Sequence, residues 1–378
     1  MSYVFYSIQW QDQLQFTRDS GINAESIAGR IYGPWDQPQV RFQAMTEETP
    51  RQWSIGPQSD GARLSVAPGF LTYLRNIDGV YFALGALCFV LTVIFAGVRW
   101  RWLLKAVDLN ISLLTAQRYT WIGLFCNNFI PGGTGGDFIK AFYIMRDFPA
   151  SRLRAVFSVL VDRLLGLVSL ALLGAFVVLF FLERFFLLAM AIWGVIAIAL
   201  VIGTLLFSRR VRKHLGLNRL VDFFPASVQT ILLQIDQAVM MYRANRSGVL
   251  TWLLLGIGNH GVSVTCVVFF GQALGVGLPN IEYFILVPVI NIVSAIPIAP
   301  NGWGIGEALY GKLFATYGSE YVVGISNPEV TMQTRGITLS ILFRVNSTIW
   351  SLLGGLAMLL DKNRPRQKDF NKALDKPI

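Results

Sequence analysis

Charge is scarce in this chain. Only 14% of its 378 residues are Asp, Glu, Lys or Arg, where a soluble domain carries roughly 25%. His214 and His260 are the only histidines, and no HExxH, CxxC or Walker pattern occurs. Zinc hydrolysis and nucleotide-driven pumping therefore have no support, and neither a metal nor a cofactor is expected. Cysteine is limited to Cys88, Cys126 and Cys266, each inside an apolar run; that placement suits packed small hydrophobes better than disulfides or metal ligands. Lysine is absent from the first 78 residues. Met1 to Trp10 is short and lacks a basic n-region, so no signal peptide is expected.

What the chain has in abundance is apolar surface: 54% hydrophobic residues and a mean hydropathy of +0.52. Several apolar runs reach the roughly 20 residues that a membrane-spanning helix needs. The chain reads as an all-α polytopic membrane protein with a small N-terminal β-rich part. The net charge of +10 does not imply nucleic acid, because the basic residues cluster beside apolar runs as the positive-inside rule requires.

Residues 1–78 are polar and turn-rich, with Gly33-Pro34, Gly56-Pro57 and Pro68-Gly69. Alternation at Ser26–Tyr32 and Gln39–Phe42 predicts strands. Six Arg face eight Asp and Glu there, a balance that permits export. Residues 79–98 form a clear span, and Arg99, Trp100, Arg101, Trp102 and Lys105 after it mark a cytoplasmic end with an aromatic belt. Residues 155–182 and 185–207 predict an outward and a returning span. Residues 220–248 predict an amphipathic surface helix. Residues 249–273 run outward, 283–299 enter the membrane with interruptions at Pro288 and Pro297, and 336–360 return. The resulting domains are an extracytoplasmic β-rich segment (1–78), a transmembrane domain (79–362) and a cytoplasmic basic tail (363–378).

Two stretches do not belong in a regular transmembrane helix. Asn127-Asn128-Phe129-Ile130-Pro131-Gly132-Gly133-Thr134-Gly135-Gly136-Asp137 follows one apolar run and precedes another. Pro131 blocks helical hydrogen bonding and the glycines remove the incentive to restore it. Pro300-Asn301-Gly302-Trp303-Gly304-Ile305-Gly306-Glu307 repeats the plan with one extra residue. Irregular backbone at membrane depth survives only where protein or a water-filled cavity covers it. Nine helical residues after the first loop rise only about 14 Å, so a re-entrant hairpin from the cytoplasmic side is expected. The second loop fits a hairpin entering from outside. Paired interrupted segments of opposite entry are the mark of inverted repeats around a transport site.

A phospholipid headgroup carries a phosphate and often an amine. Gly132, Gly133, Gly135 and Gly136, with Gly302, Gly304 and Gly306 in the second copy, present backbone N–H groups and helix N-termini suited to phosphate oxygens. Asp137 and Glu307 suit an amine, a proton or a protein cation, of which Arg163 is the best placed and Lys140 and Arg344 come next. Both acids equally fit helix caps or first-turn acids. Asp162, Arg163 and Arg344 require partners if they lie deep, although Asp162 and Arg163 also sit close enough to Arg154 to snorkel to the interface. Asn127 and Asn128 can offer amides to a headgroup and fit tying down the broken backbone at least as well; Asn301 belongs to the second candidate stretch. Asn259, His260 and Asn291 fit interhelical glue. Trp303 suits either a cavity gate or the aromatic belt.

The first stretch together with Val161-Asp162-Arg163-Leu164-Leu165-Gly166 resembles the lysylphosphatidylglycerol synthase transmembrane (flippase-like) family, and Pro300–Glu307 looks like its second signature. The resemblance covers roughly residues 75–362. It implies translocation of a phospholipid or lipid-linked headgroup between leaflets of the inner (plasma) membrane, with Pro131, Pro300 and the residues named above at the substrate. The aminoacyl-transferase domain of bifunctional synthases is expected to be absent, because the chain ends at Ile378. Members commonly begin with a span, whereas this chain begins in polar sequence. A membrane-embedded transferase on a lipid or polyprenyl phosphate is the alternative, weakened by the lack of a DxD or DDxxD pair. A scaffold presenting residues 1–78 is a third reading. Lipid identity and oligomeric state are not legible.

Overall fold

The computed structural model describes residues 8–18, 25–58, 62–130, 135–208, 239–240, 242, 246–295 and 304–361. The loop residues Pro131, Gly132, Gly133, Pro300, Asn301, Gly302 and Trp303, most of the expected surface helix and the basic tail lie outside the described residues.

The N-terminal part is a six-stranded antiparallel sheet. Its strands are β1 (Asp12–Arg18), β2 (Glu25–Tyr32), β3 (Gln39–Ala44), β4 (Arg51–Ser54), β5 (Gly56–Pro57) and β6 (Ala62–Ala67). Every neighbouring pair is antiparallel, in the order β4-β3-β2-β1-β6-β5. Only Ile55 separates β4 from β5, so the two ends of the sheet are one continuous stretch of chain. That closes the sheet into a small barrel and leaves no long edge. Period-two alternation fills it with Leu14, Ile31, Val40, Phe42, Leu64 and Val66. The buried carboxylate of Asp12 accepts hydrogen bonds from Ile31 N (2.6 Å), Gly69 N (2.7 Å) and Thr72 Oγ1 (2.8 Å). It thereby fastens the barrel to the start of α1 (Phe70–Arg75).

The remaining helices are α2 (Gly79–Lys105), α3 (Leu113–Phe129), α4 (Gly135–Asp147), α5 (Arg152–Val178), α6 (Leu182–Phe207), α7 (Arg246–Ala273), α8 (Asn280–Ser294), α9 (Ile305–Gly318) and α10 (Pro328–Leu359). Among the described residues, four helical stretches are long and apolar enough to cross a membrane. One of them, residues 149–205, is broken by a tight turn at Leu179–Phe181 and by non-helical backbone at Phe185. Its halves α5 and α6 pack on each other, so that stretch supplies two crossings. Bulky apolar side chains stand exposed along α6, among them Phe186, Leu187, Met190, Trp193 and Leu200. A hydrocarbon surround accounts for a patch of that size.

The other four membrane-type helices form two hairpins with short arms. α3 and α4 have 17 and 13 residues, and α8 and α9 have 15 and 14. At about 1.5 Å per residue none reaches the roughly 30 Å hydrocarbon thickness.

Three sequence expectations are corrected. The first span does not stop at residue 98: α2 runs on to Lys105 and carries Arg99 and Trp100 inward, both buried. Pro288 does not interrupt α8, which continues through it; a transmembrane helix tolerates proline where neighbours satisfy the freed carbonyl. The last crossing helix starts at Pro328, earlier than residue 336, so Arg335 is helical, and it is buried.

The chain forms two compact units. One comprises residues 1–88, 264–294 and 302–346 and contains the barrel and most of the α8/α9 hairpin. The other comprises residues 89–263, 295–301 and 347–378 and contains the α3/α4 hairpin.

Candidate functional site

In the second of these units, α3 and α4 meet closely where glycine allows it. A Cβ on Gly136 would collide with the Gly123 carbonyl oxygen, and one on Gly135 would sit 2.7 Å from Ile130 Cβ. Gly136 N donates to Asn127 Oδ1 at 2.8 Å. Asn127 thus serves as a side-chain acceptor for one of the unpaired N–H groups that open α4. Asp137 lies in the first turn of α4, where the helix dipole favours a carboxylate. Its Oδ2 pairs with Arg163 Nη1 on α5. Arg163 Nη2 donates to the Ala295 carbonyl at 3.1 Å. One guanidinium therefore holds the acid that follows the first glycine-rich stretch and the backbone that leads into the second. This pair stays partly accessible, at 29% for Arg163 and 28% for Asp137.

One residue earlier on α5, Asp162 is buried and faces two cations. Arg99 on α2 approaches Asp162 Oδ1 through Nε (2.9 Å) and Nη2 (2.9 Å). Lys140 on α4 lies 3.5 Å from Asp162 Oδ2, with its ammonium 4.2 Å from the Trp100 ring centroid. Two small residues leave room for the Arg99 guanidinium. A Cβ on Gly166 would stand 3.4 Å from Nη2, and one on Gly256 would stand 3.2 Å from Nη1. Arg99 Nη1 is shielded from solvent without a hydrogen-bond partner. The Gly166 position also faces His260 Nε2, at 3.9 Å. Counting Arg99, Lys140 and Arg163 against Asp162 and Asp137, this cluster carries one surplus positive charge.

In the first unit, Glu307 opens α9. It is 2% exposed, its Oε2 accepts from Gly304 N at 2.6 Å, and its Oε1 pairs with Arg344 Nε on α10. The contact to Gly304 N is the return half of a capping box. Gly304 has φ +86°, which disfavours any side chain. A Cβ on Gly306 would strike Arg344 Nη2, so this glycine gives the guanidinium its place. The second arm of each hairpin thus opens with an acid held by an arginine of the next crossing helix. The two arrangements differ mainly in burial.

The structure unites Asn127, Gly135, Gly136, Asp137, Lys140, Asp162 and Arg163 in one unit, and Gly304, Gly306, Glu307 and Arg344 in the other. Asn128 lies on α3 beside Asn127. Sequence reasoning missed Arg99, because the Arg-Trp-Arg-Trp run after the first span looks like an interfacial flank. The available signal was Asp162 itself, a carboxylate deep in an apolar helix that demands a cation.

The description "Lysylphosphatidylglycerol synthase TM region" matches residues 67–341 of this chain. The chain belongs to that family. It is similar to a UPF0104 membrane protein of Pyrococcus horikoshii, 24% identical over 77% of this chain and 89% of the relative. It is also similar to a UPF0104 membrane protein of Methanothermobacter thermautotrophicus, 24% identical over 68% of this chain and 81% of the relative. No solved structure matches it. The match to the synthase TM region spans both glycine-rich stretches and leaves out the barrel. This member of the family is a multi-pass membrane protein.

Proposed function

We propose that the protein moves a phospholipid or lipid-linked headgroup between the leaflets of the inner (plasma) membrane, using the two hairpins as opposed re-entrant elements of an inverted repeat. Residues 1–78 then lie outside the cytoplasm and the chain ends inside. The observation that carries the reading is the recurrence of one device: a glycine-rich break, an acid in the first helical turn, and an arginine from the next crossing helix, as Asp137–Arg163 and Glu307–Arg344. Broken helices in corresponding halves are how secondary transporters build their sites.

The chemistry supports a substrate with an anionic part. The α3/α4 cluster holds one more cation than it has acids, and a charge at membrane depth is expensive unless balanced. A headgroup phosphate supplies the missing negative charge, with Lys140 and Arg99 as its counter-ions and the N-terminus of α4 as its hydrogen-bond donor. A headgroup amine takes Asp137 from Arg163. Releasing Arg163 also releases the Ala295 carbonyl, so substrate at the first break changes the footing of the second.

The test is a leaflet-exchange assay in proteoliposomes with labelled phospholipids, comparing wild type with Asp137→Asn and Arg163→Gln. Exchange by wild type that both variants lose, with unchanged thermal unfolding, is the expected result. Exchange that survives both substitutions sinks the proposal for this site. Turnover of a lipid donor without any exchange would place the chain with membrane-embedded transferases.

A further inference from the structure

Arg335 has no acid. It is buried at 7% exposure in α10. Its Nε donates to Tyr73 Oη at 2.9 Å and its Nη1 to the Val276 carbonyl at 2.8 Å. Its guanidinium carbon lies 5.4 Å from the Trp35 ring centroid and 5.7 Å from that of Tyr73. All of these partners are neutral. The other two buried basic residues among the described residues, Arg99 and Lys140, share Asp162. A buried cation without a counter-ion is costly, and burial already pushes the Tyr73 phenol above its ordinary range, so that group supplies no negative charge.

The cation borders a cavity of about 360 Å³ within the first unit, between the barrel and residues 321–325. Small-molecule sites commonly start at roughly this size. Trp35, Asp36, Gln37, Ser65 and Tyr321 line it with Arg335, over an apolar wall that includes Val66 and Val322. Ser65 belongs to β6, on the barrel's outer face, and is 7% exposed. Its hydroxyl is shielded from solvent and has no hydrogen-bond partner. A buried hydroxyl with no partner costs about 1–3 kcal/mol. Asp36 is exposed, and no ion pair joins it to Arg335.

We propose that this cavity binds a phosphate oxyanion, with Arg335 as counter-ion and Ser65 as hydrogen-bond donor. Asp36 then favours a phosphate whose substituent carries an ammonium over a bare one. The site uses barrel residues that lie outside the family match, and it does not rest on lipid translocation. Two sources share this chemistry, a lipid headgroup and free phosphate.

The test is calorimetry on the full chain in detergent, titrated with inorganic phosphate and with glycerophosphoethanolamine, a soluble headgroup phosphodiester. Expected is binding of the diester that weakens about tenfold in Ser65→Ala and disappears in Arg335→Gln. Diester binding well above that of inorganic phosphate identifies a headgroup, and equal binding identifies free phosphate. Arg335→Gln also loses a bond to the Val276 carbonyl, so Ser65→Ala, checked for unchanged unfolding, decides if that variant fails to fold. No binding of either probe by wild type, or equal binding by wild type and Ser65→Ala, overturns the proposal.

Discussion

The two hairpins carry nearly the same local sequence plan and put it to different physical use. At α8/α9 the acid–arginine pair is shut in, with 3% of the Glu307 side chain and 12% of the Arg344 side chain exposed. The same carboxylate also caps its helix through Gly304 N. At α3/α4 the pair is more than a quarter exposed at both partners, and capping of the helix start falls to Asn127 instead. A carboxylate that closes its own helix and neutralises a buried guanidinium is part of the scaffold. A carboxylate relieved of capping and reachable from solvent can exchange partners cheaply. Under the proposed function, the difference fits a working role for the first break and a holding role for the second.

The largest effect that would break this contrast is at Glu307. Glu307→Gln removes the carboxylate charge that the mostly enclosed Arg344 guanidinium faces, a change that typically costs about 3–5 kcal/mol. Expected is a sharp fall in folded yield and in the thermal unfolding midpoint in detergent. A midpoint like that of wild type would mean that the second pair is not structural, and the contrast would collapse.

Next in size are the glycines that allow each hairpin to form. Gly136→Ala drives a methyl into the Gly123 carbonyl and the Asn127 side chain, an overpacking that costs about 1–3 kcal/mol. Gly304→Ala meets backbone strain at φ +86°, of order 1–3 kcal/mol. The first substitution forces two helices apart and the second only distorts a turn. Unfolding midpoints should both fall, and leaflet exchange should suffer more in Gly136→Ala at equal loss of stability.

Much of this plan was legible from composition and spacing. Proline and clustered glycine within apolar runs announced the hairpins, because few other backbones accept those residues. The acids were visible because carboxylates are rare in such runs. Period-two alternation and turn pairs announced the strands of residues 1–78. Barrel closure was not legible, because it depends on Ile55 joining two strands that pair with opposite ends of the sheet. Arg99 and Arg335 were hidden for a different reason. Arg99 lies where the positive-inside rule already explained it, and only tertiary packing showed that it serves Asp162, while Arg335 pairs with no acid among the described residues. Pro288 misled because proline breaks helices in water far more reliably than in transmembrane segments, where it is tolerated.

A smaller effect sharpens the account of the α4 start. Asn127→Ala removes the acceptor of Gly136 N, worth about 1 kcal/mol. Asn127→Asp keeps an acceptor and adds charge at a helix N-terminus, which the dipole favours. Hydrogen exchange at Gly136 N should speed up in the alanine variant and stay slow in the aspartate variant.

The smallest expected change in stability is at Asp137, and its smallness is the point. Asp137 and Arg163 each keep more than a quarter of the side chain exposed; where a water-filled cavity covers them, the pair contributes at most about 1 kcal/mol. Asp137→Asn should unfold within a degree or two of wild type, where Glu307→Gln does not. A double-mutant cycle with Arg163→Gln should return a coupling of the same small size. Leaflet exchange should nevertheless be lost, because the amide can neither hold an amine nor release Arg163 from an ionic partner. Large destabilisation by Asp137→Asn would return both hairpins to one structural role, and the asymmetry between them would then lie only in their solvent access.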